Sequence, residues 1–115
     1  MTESSTENKA ACACLELAYV PWESEDRYLG TDEYYAEISL QTCKRCGRIW
    51  LRYFYENEAF TKSERWCRGV ISPEQVNSVT AETAKDFLGK LDWYLCGGSF
   101  YGKVFKTSGL PSIWP

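Results

Sequence analysis

The chain has 115 residues, a formal net charge of −3 and no histidine. That length suits one domain, able to bury roughly two-thirds of its unfolded surface without needing a metal. The acidic balance argues against a general polyanion binder, and the missing histidine excludes Ser-His-Asp and Cys-His catalysis and the His-rich catalytic zinc sites.

Residues 1–9, rich in Ser, Thr and Glu, read as a disordered tail, followed by a single domain over 10–115. They lack the basic start and apolar stretch of a secretion signal, and no run approaches the roughly 18 apolar residues of a membrane span. A cytoplasmic location without a membrane partner is therefore expected. In that reducing compartment six cysteines read as metal ligands or reactive thiols before they read as disulfides.

In chain order, residues 10–20 (ACACLELAYV) read as a short strand that ends at Pro21 and carries Cys12 and Cys14. Residues 22–33 read as an acidic loop: six acidic side chains and only Arg27 among the basic ones lie between Glu23 and Glu37. The loop either meets a basic partner or folds against the basic segment 44–52 of the same chain. Residues 34–42 alternate, with Tyr34, Ala36, Ile38 and Leu40 on one face. In 48–56 (RIWLRYFYE), Ile49, Leu51, Tyr53 and Tyr55 share a face opposite Arg48, Trp50, Arg52 and Phe54. After a polar turn near Asn57, residues 64–71 (ERWCRGVI) form a third strand.

Two short helices are expected next. Ser72-Pro73-Glu74-Gln75 is a capping box with Pro at the first helical position, opening a helix to about Val79. Thr80 caps a second over 81–91, whose Ala84, Phe87, Leu88 and Leu91 form an apolar stripe. Residues 93–96 and 100–106 read as a closing hairpin around Gly97-Gly98-Ser99, and 107–115 as an irregular tail. The expected class is α+β: an antiparallel sheet with two short helices on one face.

The most specific local signal is Cys43-Lys44-Arg45-Cys46-Gly47. Two thiolates three residues apart reach one tetrahedral ion if the backbone turns between them, and the glycine suits the left-handed conformation that closes such a turn. The segment resembles the knuckle of zinc ribbons and rubredoxin-like sites, a resemblance confined to about ten residues and naming no particular family. It implies a second cysteine pair, and Cys12 and Cys14 supply one. Their single intervening residue departs from the usual two-residue spacer. Residues i and i+2 of a regular strand sit about 7 Å apart, so a local bend is required. The expected site is one structural zinc ion on Cys12, Cys14, Cys43 and Cys46. An iron site and four buried thiols without an ion stay open.

Cys67 and Cys96 are left over. Each is either a core residue or a reactive thiol. Arg65 and Arg68 flank Cys67, and cations lower a thiol pKa. Cys96 precedes a glycine turn whose amides can cradle an anion. Lys44, Arg45, Arg48 and Arg52 interleave with Trp50 and Phe54, the arrangement by which single-stranded nucleic acid is bound, or a solvated face. No carboxylate pair, calcium loop or phosphate loop is present, and no catalytic residue is assigned. Three functions are expected in turn: a non-enzymatic protein-interaction module, an RNA- or single-strand-binding zinc ribbon, and a thiol redox protein using Cys67 or Cys96.

Overall fold

A computed structural model describes residues 12–15, 23–56, 59 and 61–111. Six strands form one antiparallel sheet: β1 (Ser24–Thr31), β2 (Glu37–Cys43), β3 (Ile49–Tyr55), β4 (Arg65–Ile71), β5 (Tyr94–Gly97) and β6 (Phe105–Thr107). Each pairs with the next in sequence, so the sheet is a simple meander. Between β4 and β5 lie a 3-10 turn (Pro73–Gln75) and one α-helix, α1 (Ala84–Lys90). No helix among the described residues is long and apolar enough to cross a membrane.

This corrects the expected α+β class with two helices. The described residues form an antiparallel sheet with a single seven-residue α-helix. At the first helix position the cap does form: the Ser72 N–H donates to Gln75 Oε1 (2.8 Å), and Gln75 N–H donates to the Ser72 carbonyl (3.0 Å). Only one 3-10 turn follows, because Val76, Asn77, Ser78, Val79 and Thr80 are all poor helix formers and a short helix has few bonds to offset nucleation. Thr80 and Thr83 bond each other side chain to side chain (3.1 Å), and α1 starts only after them.

Residues 24–31, expected to be loop, are β1. The strand is exposed along Glu25, Asp26, Arg27 and Tyr28, so it shows none of the alternation that betrays a half-buried strand. A bulge between Tyr28 and Gly30 interrupts its register with β2. The acidic segment does lie beside the basic one: Asp26 and Glu37 act on the Arg52 guanidinium and oppose the downward pull of burial on its pKa. The expected tail at 1–9, most of the expected strand at 10–20, the turn at Asn57 and residues 112–115 fall outside the described residues. The described part of the N-terminal pair is a 3-10 turn, Ala13–Leu15.

The sheet has two buried faces. The first carries Ala36, Ile38 and Leu40, Leu51 and Tyr53, Cys67 and Ile71, and Tyr94 and Cys96, covered by Ala84 and Leu88 of α1 with Phe87 and Leu91 at its edge. The second carries Cys43, Trp50 and Leu95, with Trp66, Val70 and Trp93 around them, and Cys12 and Cys14 pack against this set. Both faces follow from the two-residue period of the strands.

The Gly97-Gly98-Ser99 turn after β5 is tightly docked. Gly98 has φ +110°, and a Cβ there would lie 2.5 Å from the Glu64 carbonyl oxygen and 2.9 Å from Arg65 Cα. These are backbone atoms of β4 and its approach, and they have little room to move. Gly98→Ala is expected to cost about 2–4 kcal/mol in urea-induced unfolding. Gly102→Ala, at φ +76° with nothing near its Cβ position, should cost only about 1–2 kcal/mol.

Candidate metal centre

The β2–β3 connection builds half of the site. Cys43 closes β2, and its N–H donates to the Arg48 carbonyl (2.8 Å) while Gly47 N–H donates back to the Cys43 carbonyl (2.9 Å). Gly47 takes φ +81°, the left-handed conformation expected for it. This turn points Cys43 and Cys46 toward the second face of the sheet. The other half is the 3-10 turn at 13–15, where Leu15 N–H donates to the Cys12 carbonyl (3.0 Å). That turn is the local bend that the one-residue spacer requires, since it brings two thiols to one point that an extended strand would hold apart.

All four sulfurs lie within 4.8 Å of one another. Cys12 Sγ is 3.5 Å from Cys43 Sγ, and Cys14 Sγ is 3.7 Å from Cys46 Sγ. A zinc–sulfur bond of about 2.3 Å in a regular tetrahedron sets the sulfurs about 3.8 Å apart, whereas a disulfide needs about 2.05 Å. The spacing therefore suits four thiolates around one ion, and the six cysteines of the chain are all free thiols. Cys12, Cys14 and Cys43 are buried and Cys46 is partly exposed. Four sulfur ligands close a tetrahedron and leave no position for substrate.

The surroundings act on these thiols in both directions. Burial raises the Cys12 thiol, and raises Cys14 to about 12 against a hydrogen bond from Trp50. Burial would raise Cys46 too, but the Arg48 backbone N–H and the three neighbouring thiols bring it down to about 7. The Arg48 guanidinium also donates to Cys46 Sγ (3.3 Å). Arg68 adds a second cation: desolvation lowers its pKa and the nearby Cys14 raises it. Its guanidinium lies over both Trp50 (4.6 Å) and Trp66 (5.1 Å). Trp50 and Trp93 meet edge to face at 6.2 Å, completing an aromatic wall on the sheet side of the sulfurs. Neither Arg68 nor this wall was singled out from sequence as part of the site; the signal was the alternation of β4, which puts Trp66, Arg68 and Val70 opposite the main core.

The remaining candidates divide. Lys44 and Arg45 are exposed, and Arg48, Arg52 and Phe54 are partly so. Trp50 has no exposed surface, and Arg52 already lies over the Phe54 ring (4.8 Å). Cys67 and Cys96 lie in the main core on the opposite face from the four-sulfur cluster and face each other across β4 and β5. The Cys67 thiol is raised well above its ordinary value, by its hydrogen bond to Cys96 and by burial, with Arg65 opposing. Arg65 shares the face of Cys67, while Arg68 points to the other face.

No family model, curated protein or solved structure matches the chain.

The reduced chain is expected to take up one divalent ion, with cobalt giving the thiolate charge-transfer absorption of a tetrahedral sulfur site. Ser at position 12, 14, 43 or 46 should abolish that spectrum. Uptake displaces protons, because buried thiols must ionise to bind, so affinity falls on acidification. The fall should steepen below about pH 7, where Cys46 is protonated as well. A pH-independent cobalt affinity would contradict this geometry.

Proposed function

We propose that the chain is a small zinc-binding domain whose ion is structural, acting in the cytoplasm as a non-enzymatic module that binds a protein partner. One observation carries the structural part: four sulfurs on two distant segments converge with near-tetrahedral spacing and leave no open coordination position. Charge supports a divalent ion of the zinc type. Zinc with four thiolates has net charge −2, and the two guanidinium groups beside the sulfurs, Arg48 and Arg68, supply the same amount of positive charge. A reducing compartment keeps those thiolates available.

The partner-binding part rests on the exposed edge of the sheet. Tyr28 on β1 and Tyr35 in the next turn are 63% and 86% exposed. Among the described residues no strand pairs with the outer edge of β1, and such an edge accepts an extended segment of another chain. Nucleic-acid binding is the weaker reading. Its central aromatic, Trp50, is fully buried and cannot stack on a base, and the acidic β1 lies beside the basic strand.

Elemental analysis of the purified protein is expected to give one zinc per chain, absent from each of the four Cys→Ser variants. Arg68→Met should leave a foldable chain whose zinc affinity is about 10–100-fold weaker, as for other groups that support metal ligands. Iron in place of zinc would redirect the reading to electron transfer. For the partner, a Tyr28→Asp/Tyr35→Asp variant that keeps its zinc should lose proteins retained by the wild-type chain. Equal retention, or binding to single-stranded RNA that weakens steeply with salt, would remove the protein-partner reading.

A further inference from the structure

The six cysteines fall into two groups on opposite faces of the sheet, and the second group has its own geometry. Cys67 of β4 and Cys96 of β5 are direct register partners. Their sulfurs are 3.3 Å apart, and each residue is only 2% exposed. Directly opposed antiparallel residues have Cα atoms about 4.5–5.5 Å apart, inside the window a disulfide accepts, and small side-chain rotations would bring the sulfurs to about 2.05 Å. The only group of potential metal ligands among the described residues is the four-cysteine cluster on the other face, so the pair has no third ligand for an ion. Its charged neighbour is a cation, Arg65, buried on the same face of β4 two residues before Cys67.

We propose that Cys67 and Cys96 form a redox-active pair that closes to a cross-strand disulfide when oxidised by hydrogen peroxide. The oxidant must be small because both sulfurs are buried. Cys96 is the attacking thiol: its hydrogen bond from Cys67 lowers its pKa, while the same bond and burial raise that of Cys67. The Cys96 sulfur attacks one peroxide oxygen, the O–O bond breaks, and the departing hydroxide takes up the Cys96 thiol proton to leave as water. Cys96 is then a sulfenic acid. Cys67 sulfur attacks Cys96 sulfur, the S–O bond breaks, and the second water leaves with the Cys67 proton. Two thiols lose two electrons, and one peroxide becomes two waters. A dithiol reductant reverses the reaction by exchange.

The test treats zinc-loaded protein with a few equivalents of peroxide and measures mass, zinc content and disulfide linkage together. The expected product has lost two hydrogens, links Cys67 to Cys96 in the peptide map, returns to its starting mass with dithiothreitol, and retains its zinc. Cys67→Ser should stop at the sulfenic acid, so that dimedone labels Cys96. Wild-type protein in which both thiols stay free while peroxide oxidises other residues would overturn the proposal. So would a first disulfide that involves Cys12, Cys14, Cys43 or Cys46 with loss of zinc. The wild-type map decides the matter even if a variant does not fold. Since zinc is measured in the same sample, failure of this pair and failure of the zinc reading give different results.

Discussion

A sheet has two faces, and the described residues include one α-helix to cover them. The helix takes the face of Leu51 and Tyr53. The other face presents Trp50, fully buried at the centre of the second core, and the turn of residues 12–15 packs against that core. This turn carries Cys12 and Cys14 onto that core. Fixing four residues of backbone costs about 4–8 kcal/mol. Burying Cys12, Cys14 and part of Leu15 returns about 3–5 kcal/mol. Apolar contact alone therefore leaves the turn near balance or short of it. An ion held by the four sulfurs would add metal–thiolate bonding, worth about 10–16 kcal/mol in small zinc domains, on the side where it is needed.

The same cluster accounts for the arginine inside the second core. A guanidinium over Trp50 and Trp66, and largely removed from water, is costly unless an anion faces it. Cys14 faces it. Holding a metal ion, the four sulfurs would be thiolates and would face the guanidinium with added negative charge. The indoles hold the cation by their ring faces, and Trp50 also donates its ring N–H toward Cys14. Tryptophan, arginine and sulfur thus form one electrostatic unit across the sheet surface.

Strands β2 to β5 were legible in the sequence because each is half-buried on the main core, and a two-residue period shows through in Ile38/Leu40, Leu51/Tyr53 and Tyr94/Cys96; of the strand expected over 100–106 only 105–106 is strand, and β6 runs Phe105–Thr107. The apolar stripe of α1 was legible for the same reason at a period of 3.6. β1 was not, because an edge strand with both faces wet needs no apolar alternation. The first helix was over-read: Ser72-Pro73-Glu74-Gln75 specifies how a helix starts, not how long it lasts. Half of the four-cysteine cluster was legible through spacing, since Cys43-x-x-Cys46-Gly47 is a local turn. The place of Trp50 was not, since an aromatic on an arginine-bearing strand reads as a contact surface until the segment packed against it is known.

Strand parity also explains how one small chain keeps two kinds of cysteine apart. Cys43 shares a face with Trp50, while Cys67 and Cys96 share the other with Leu51 and Tyr53. The backbone of the sheet lies between the groups, so the four clustered thiols and the facing pair stay apart. Shifting β4 by one residue would send Cys67 to the metal side and Arg68 into the main core, losing both arrangements together. The register that fixes the hydrophobic core therefore also fixes which sulfurs can bind a cation and which can only bind each other.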